Sequence, residues 1–223
     1  MKAFSKVISF GIIFIMLFQA AAFAQTEREY ADALYELGLF AGTDKGYELD
    51  KNFTREEAAT ILVRLLGEAG KINEYEYEEK FTDVKSDRWS YAYVMYCYEN
   101  GITYGTGEDT FSPDATIDSY QFVTLLLRLM GYEETNLYEA LNDGVECGLF
   151  NSQVALQLEE SESFTRGDMV YIIYRSLKTK TSDGQLFADC LMEKGVISAK
   201  EAEEFDIYGE FENIDELLEE LLY

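Results

Sequence analysis

Two arginines occupy positions where a cation could bind an acidic group. Arg55 and Arg166 each follow a threonine placed to cap a helix, so both fall in a first helical turn. A cation there faces the positive end of the helix dipole, at a cost of about 0.3–0.5 kcal/mol that a bound anion would reverse. The planar guanidinium also matches a carboxylate through two parallel hydrogen bonds. The two arginines are therefore anion-binding candidates, although pairing with nearby acids such as Glu56 or Asp168 explains them equally well from the residues alone.

Three residues of the central part of the chain are further ligand-binding candidates. Trp89 is the only tryptophan, and an exposed indole can stack on a sugar ring. Its position at the start of an amphipathic helix nevertheless favours a core anchor. Gly101 and Gly105 would let a ligand approach the backbone closely, but a helix end and turn geometry are sufficient reasons for glycine at these positions.

The elements that must position these residues recur three times. In each unit a first helix is expected to end in the pattern Glu-x-Gly-apolar, because glycine adopts the left-handed conformation that closes a helix and the apolar residue folds back onto the last turn. The three copies are Glu36–Leu39, Glu99–Ile102 and Glu146–Leu149. A loop then leads to a second helix.

The second helix of each unit begins with a capping residue and a matching acceptor three positions later. These pairs are Thr54 with Glu57, Asp118 with Gln121 and Thr165 with Asp168. The first two are capping boxes or close variants, and the third is expected to be looser because aspartate is shorter than glutamate. Apolar residues follow with helical periodicity. An arginine recurs at the tenth position after each cap, where the helix dipole favours a cation, as Arg64, Arg128 and Arg175.

The N-terminus and the charge indicate an exported protein. Lys2 and Lys6 precede an apolar run, and Ala22-Phe23-Ala24 supplies a small-residue cleavage site, so residues 1–24 are predicted to be a secretory signal peptide. No second apolar stretch is long enough to cross a membrane after cleavage. The formal net charge is −25, which becomes −27 once the two lysines are removed. Such a charge excludes nonspecific binding to nucleic acid or anionic lipid.

Catalysis, cofactors and a metal site are not expected. The chain has no histidine, the usual general base and metal ligand, and it contains neither a nucleophile motif nor a cofactor loop. Its three cysteines lie near helix ends without the spacing of a zinc site or a disulfide scaffold. We interpret Cys97, Cys147 and Cys190 mainly as small buried residues, with a disulfide between two of them as the alternative.

The central unit carries a series of motifs in a recognisable order. It contains Phe81-Thr82-Asp83-Val84, Trp89, Gly101-Ile102-Thr103-Tyr104-Gly105 and Thr110-Phe111-Ser112-Pro113. This series resembles the S-layer homology repeat, whose pattern ends in Thr-Arg-Ala-Glu. The outer units resemble that last motif, in Thr54-Arg55-Glu56-Glu57 and Thr165-Arg166-Gly167-Asp168. The central unit has Ser119 in place of the arginine, and the resemblance covers about residues 28–178.

The resemblance implies a fold and a function. Proteins of this family with three repeats form a mainly α, pseudo-threefold helical bundle of helix-loop-helix repeats. Their grooves hold secondary cell-wall polysaccharide, often pyruvylated, and attach the protein noncovalently to the bacterial wall. The motif arginine contacts the anionic sugar, a role that falls here on Arg55 and Arg166, while Ser119 puts the central contact in doubt. The alternative is a divergent domain without sugar binding, which acts as a structural or protein-interaction unit at the cell surface.

The expected division of the chain follows from these motifs. After the signal peptide we expect repeat 1 at 25–70, an acidic and solvated linker at 71–80, repeat 2 at 81–132, repeat 3 at 133–180 and an acidic helical tail at 181–223. In the tail, Gly195 repeats the helix-ending pattern and Ser198 with Glu201 forms another capping box. An apolar stripe that starts at Ile214 would dock on the repeats or on a surface-protein partner.

Overall fold

Helices dominate the part of the chain that the structure describes. The computed structural model describes residues 27–208, so the expected signal peptide and the apolar stripe from Ile214 lie outside the described residues. Within 27–208, extended pairing is limited to isolated bridges, and the prediction of a mainly α fold is confirmed. The α-helices in chain order are α1 (27–36), α2 (Arg55–Leu65), α3 (Tyr91–Glu99), α4 (Ser119–Leu129), α5 (Ala140–Glu146), α6 (Ser152–Glu160), α7 (Arg166–Leu177), α8 (Phe187–Glu193) and α9 (Ala199–Glu204).

The predicted glycine ends of the first helices are present in all three units. Gly38, Gly101 and Gly148 have φ values of 70°, 70° and 81°, in the left-handed region that glycine tolerates best. The apolar residue after each glycine is buried, as expected for a side chain that folds back onto the helix end. The same local signal therefore closes α1, α3 and α5.

The caps of the second helices differ from the prediction in two units. Thr165 and Asp168 form a complete capping box, in which the Asp168 carboxylate accepts from Thr165 N at 2.8 Å. The expectation of a looser third box is therefore wrong, because the shorter side chain still reaches the cap amide. In the central unit Asp118 accepts from Gln121 N at 2.8 Å, but the Gln121 amide donates to the Asp118 carboxylate at 2.6 Å. The Gln121 Oε1 atom is used elsewhere, as described below.

The three units, which are repeats 1 to 3 and are numbered in the same way, pack in a ring. The first helix of each unit lies on the second helix of the preceding unit. Helix α3 lies on α2, and α5 lies on α4. Helix α1 contacts α7 through Tyr30, whose ring stacks on that of Tyr174 at a centroid distance of 4.2 Å. Unit 2 therefore packs on unit 1, unit 3 on unit 2 and unit 1 on unit 3.

The residues that precede the second helices meet at the centre of this ring. Phe53 N donates to Phe164 O at 3.4 Å, and Ile117 N donates to Phe53 O at 2.8 Å. The Phe122 ring contacts those of Phe53 and Phe164 at centroid distances of 6.1 and 5.3 Å. One equivalent segment from each unit contributes to this centre, which gives the bundle its pseudo-threefold arrangement.

The third unit departs from the helix-loop-helix pattern. Units 1 and 2 place an irregular loop between their two helices, whereas unit 3 places helix α6 there. Asn151 caps this helix by accepting from Val154 N at 2.9 Å. The unit-2/unit-3 interface is therefore formed by a helix, where the other two interfaces are formed by loops.

The segment expected to be a solvated linker is packed on the bundle. Ile72 is fully buried, and it begins a short 3-10 helix that ends at Glu74. Tyr77 donates to Ile72 O at 2.9 Å, and its ring contacts that of Tyr91 on α3. The acidic side chains between these anchors remain exposed. The aromatic residues of this segment are therefore held by α3, while its acidic side chains lie in solvent.

The described part of the tail also belongs to the bundle. Phe187, Leu191 and Ile197 are buried, and Tyr174 of α7 donates to Phe205 O at 2.9 Å. Ser198 and Glu201 form the predicted capping box at the start of α9. The three cysteines are free thiols, and only Cys97 is fully buried.

Candidate functional site

Arg55 lies at the interface between units 1 and 2. Its Nε atom donates to Phe111 O at 2.8 Å, and its Nη1 atom donates to Gln121 Oε1 at 2.8 Å. The guanidinium also lies over the Phe111 ring, with 4.8 Å between Cζ and the ring centroid. Only 5% of the residue is exposed, and desolvation by this burial lowers the pKa of the guanidinium. The first candidate arginine thus joins two units through neutral acceptors.

Arg166 occupies the equivalent position between units 3 and 1. Its Nε atom donates to Tyr47 O at 2.9 Å and its Nη2 atom to Ala41 O at 3.2 Å. Its Nη1 atom forms an ion pair with Glu57 at 3.4 Å. Burial lowers the pKa of this guanidinium as well, while the Glu57 carboxylate acts in the opposite direction. The expected pairing with an acid is therefore present, although the partner is Glu57 and not the adjacent Asp168.

The backbone at both helix starts is already hydrogen-bonded. Arg55 N donates to Ala115 O at 3.0 Å, and Glu56 N donates to Pro113 O at 3.2 Å. Arg166 N and Gly167 N donate in the same way to Lys51 O and Leu49 O, each at 2.8 Å. These carbonyls satisfy amides that a helix start otherwise leaves open. An anion would therefore have to bind to the side chains, because these amides are occupied.

The unit-2/unit-3 interface has Ser119 at the position of the motif arginine, and two side chains of α4 close it by hydrogen bonds. Ser119 donates through Oγ to Leu158 O at 3.1 Å, and Tyr120 donates to Glu159 at 3.0 Å. Both acceptors belong to α6. The sequence correctly singled out Ser119 as different, but it gave no sign that a helix would occupy this interface.

Sequence reasoning missed a charged cluster beside Arg55. Arg88 binds Glu56 through Nε at 2.8 Å and Nη2 at 2.9 Å, and it binds Asp114 at 2.6 Å. Ser90 adds a hydrogen bond to Glu56 at 2.6 Å. The two acidic partners hold the pKa of Arg88 above its usual range. The cluster connects α2, the start of α3 and the loop of unit 2, and nothing in the spacing of these residues indicated their contact.

Trp89 is exposed, so the prediction of a core anchor is wrong. The residue follows Arg88 and is 58% exposed, with its indole against the Tyr93 ring at a centroid distance of 6.3 Å. Trp89 lies two residues before the start of α3, and therefore before the helix face that packs on α2. The core position at the start of this helix is taken by Ser90, which is fully buried.

Gly101 and Gly105 have structural roles that explain the glycine at each position. Gly101 closes α3, as described above. Gly105 has a φ of 85°, and a Cβ atom there would lie 2.4 Å from Thr110 O and 2.6 Å from a Phe81 ring carbon. Asp83 fixes the same loop by accepting from Phe111 N at 2.9 Å and from Ser112 N at 2.7 Å. These central motifs thus build the loop that holds Arg55, and ligand contact by either glycine stays a prediction.

One carboxyl group near Arg166 has a strongly shifted pKa. Glu27 of α1 lies against Gly167, where an added Cβ would be 2.7 Å from Oε2. Desolvation by burial, followed by repulsion from Asp168, raises the pKa of Glu27 to about 7. This carboxyl fills the space beside Gly167, which has no side chain, and it changes charge near neutral pH.

Residues 27–208 show neither a cluster of metal ligands nor a membrane-spanning helix. They contain no group of three or more histidine, cysteine, aspartate or glutamate residues positioned to hold a metal ion. No helix in the same range is both long and apolar enough to span a membrane.

Comparison with known proteins agrees with this arrangement. Residues 23–59 and 80–118 match the S-layer homology domain. The chain is 35% identical over 101 residues to the Middle cell wall protein of Brevibacillus brevis, a match that covers 45% of this chain and 10% of that protein. It is 33% identical over 101 residues to the Surface layer protein of Brevibacillus choshinensis, covering 45% and 9%. It is also 33% identical over 88 residues to the Cellulosome-anchoring protein of Acetivibrio thermocellus, covering 38% and 19%.

The matched part is small relative to these proteins. The chain spans about a tenth of the length of the two Brevibacillus relatives. The two matched segments cover α1, the start of α2, α3 and the loop that binds Arg55. Two segments of the helical bundle thus match the S-layer homology domain, and over less than half of its length the chain is similar to cell-wall and surface-layer proteins.

Proposed function

We propose that this protein is a cell-surface module that attaches noncovalently to the bacterial wall by binding an anionic secondary cell-wall polysaccharide. Three relatives are a cell-wall, a surface-layer and a cellulosome-anchoring protein by name, which supports anchoring at the cell surface. No catalytic group is needed for this role.

The exposed indole of Trp89 carries the proposal. The indole is 58% exposed, and its flat face suits stacking on a pyranose ring. It adjoins Arg88, which links α2 of unit 1 to unit 2. Arg88 binds Glu56, the residue that follows Arg55 in α2. A sugar stacked on the indole would present its acidic substituent to this interface between units 1 and 2.

Retention on purified wall sacculi tests the proposal with a variant that should fold normally. Because Trp89 is exposed, Trp89→Ala should leave stability unchanged and lower the affinity for sacculi about tenfold, the equivalent of about 1.4 kcal/mol for a lost stacking contact. Tyr138→Ala is the matched control, since Tyr138 is an aromatic residue of unit 3 with 84% exposure. Equal retention of the Trp89 variant and the wild-type protein would refute the role of the indole.

The arginine contacts are tested on the same sacculi. Arg55→Lys and Arg166→Lys keep the positive charge but lose the planar guanidinium that pairs with a carboxylate through two hydrogen bonds. They disturb the interfaces between units less than substitution by alanine would. If both arginines contact the polymer, each substitution lowers retention and the double variant lowers it further. Stripping the anionic polymer from the sacculi should abolish retention of the wild-type protein. Unchanged retention after stripping would contradict the proposed ligand.

A second candidate function is a structural or protein-interaction unit without sugar binding. It is favoured by the hydrogen bonds of both arginines within the bundle and by the helix that closes the unit-2/unit-3 interface. Affinity purification of the tagged protein from polymer-free cell-surface extracts distinguishes the two functions. A stoichiometric protein partner recovered there, together with absence of binding to sacculi, would support this candidate over the first.

A further inference from the structure

Four tyrosine rings lie against one another where residues 71–80 pack on α3. Tyr75 contacts Tyr96 and Tyr77 at centroid distances of 6.0 and 6.3 Å, and Tyr77 contacts Tyr91 at 6.3 Å. All four residues are partly exposed, and Tyr75 is 44% exposed. We call these four residues the tyrosine face. Tyrosine is common on surfaces that bind another molecule, because its ring offers apolar area with a polar end.

The charged groups that act on the tyrosine face at neutral pH are carboxylates. Tyr75 donates to Glu68 at 2.9 Å. This hydrogen bond, followed by desolvation and by the charges of Glu68 and Glu74, raises the pKa of Tyr75. For the other three rings desolvation is the first cause of a raised pKa, and the charges that add to it come from Glu68, Glu79 and Glu99. The electrostatic potential over these rings is therefore negative.

An aromatic surface with a negative potential fits a cation. The face of a tyrosine ring attracts an ammonium or guanidinium group, and neighbouring carboxylates add to that attraction. The same contact occurs close by, where Lys80 Nζ lies 5.5 Å from the ring centroid of Tyr98 on α3. Lys71 approaches Glu68 to 3.7 Å, but its side chain is 61% exposed and such a surface ion pair contributes little. A cation from a partner can therefore take the place of Lys71 at little cost.

The charge of the chain selects among the possible occupants of the tyrosine face. The formal net charge is −25, so a second copy of this chain and an anionic polymer are both repelled from a face whose own potential is negative. Exposed acidic side chains alternate with the tyrosines that pack on α3, at Glu74, Glu76 and Glu78. A basic segment of another protein is attracted by the same charges, which steer its approach.

We infer that the tyrosine face and the carboxylates beside it bind a basic segment of a partner protein, whose lysine or arginine side chains lie on the tyrosine rings. The rings supply the contact area, and the carboxylates orient the cations. This inference goes beyond the proposed function and does not depend on polymer binding, because it assigns a second surface that takes the opposite charge.

A peptide with four lysines separated by glycines is the probe for this surface, and its fully acetylated form is the uncharged control. The wild-type protein should bind the charged peptide more tightly in a calorimetric titration at about 0.15 M salt, which screens distant charges. The double variant Glu74→Gln/Glu76→Gln should bind it about fivefold more weakly. Glu133→Gln/Glu134→Gln removes the same charge at exposed positions after α4 and should bind as the wild-type protein does.

A substitution of the most exposed ring tests the aromatic part of the surface. Tyr75→Leu keeps an apolar side chain but loses the ring, so it should also weaken binding about fivefold. Tyr138→Leu is the matched control at 84% exposure. Thermal unfolding shows whether each variant is folded at the titration temperature, and the glutamine variants change only exposed side chains.

Three results would overturn the inference. They are wild-type affinity in both tyrosine-face variants, equal weakening by the control variants, and equal binding of the charged and acetylated peptides. Retention on wall sacculi should stay at the wild-type level in all of these variants. A failed peptide titration therefore leaves the proposed function standing, and a failed sacculus assay leaves this inference standing.

Discussion

At the scale of single residues, the contact between Arg88 and Glu56 is the strongest charged interaction that the structure shows between units. The carboxylate receives two hydrogen bonds from Arg88 and one from Ser90. Only 9% of the Glu56 side chain is exposed. Removing the partner of a buried charge costs more than the intact pair contributes, because the remaining charge is left without compensation.

Substitution of Arg88 should therefore destabilise the bundle. We expect Arg88→Ala to lower the free energy of unfolding by about 3 kcal/mol, because Glu56 stays buried and unpaired. Urea unfolding followed by circular dichroism measures the change. Lys71→Ala is the control, since Lys71 pairs with Glu68 on the surface, where an ion pair contributes about 0–1 kcal/mol. Equal effects of the two substitutions would show that the Arg88 cluster is not a stabilising contact.

Glu27 gives the bundle a pH-dependent contribution to stability. Its pKa of about 7 lies above the ordinary glutamate value of 4.5, so the folded state holds this proton more tightly than the unfolded state. The favourable contribution is complete below about pH 4.5 and is lost as the pH rises through about 7. We expect Glu27→Gln to be more stable than the wild-type protein at pH 8, with an advantage that shrinks toward pH 4.5. Urea unfolding at both pH values measures it, with exposed Glu36→Gln as the control for charge removal. A pH-independent difference would contradict this account.

At the scale of elements, the helix boundaries could be predicted from the sequence, whereas the contacts between units could not. The glycines that close α1, α3 and α5 and the caps of α2 and α7 act within a few residues, so their sequence pattern is sufficient. The contact of Arg55 with Gln121 joins residues 66 positions apart, and that of Arg88 with Glu56 spans 32. Such pairs depend on how the units pack. The wrong prediction for Trp89 has the same cause, because the exposure of its side chain depends on where α3 first contacts α2.

The loop of unit 2 provides a test of these element-level roles. Gly105→Ala places a Cβ atom against Thr110 O and the Phe81 ring at positive φ, so it adds a clash to backbone strain. Gly148→Ala meets no atom within 4 Å and adds only the strain of a left-handed residue. We expect losses of about 3 and about 1 kcal/mol in the free energy of unfolding, respectively. Equal losses would show that the loop relaxes around the added methyl group.

At the scale of the whole molecule, the ring of three units is completed by the tail. A Cβ atom on Gly67, just after α2, would lie 2.5 Å from a methyl carbon of Val196, so the tail packs on unit 1 as well as on α7. The ring also closes through α1 and α7, which are the first and last helices of the repeats. Residues far apart in sequence therefore depend on one another, and we expect residues 27–208 to unfold cooperatively.

Truncation of the tail tests this dependence. Removing residues 181–223 exposes core that Phe187, Leu191, Ile197 and Ile207 cover, and each such side chain contributes about 2 kcal/mol when buried. Their sum is comparable with the whole stability of an ordinary domain, about 5–15 kcal/mol, so the shortened chain should lose its cooperative thermal transition. A chain that ends at Tyr208 keeps all four side chains and serves as the control. If the chain ending at residue 180 melts at the temperature of that control, the three units are stable by themselves and the tail does not complete the bundle.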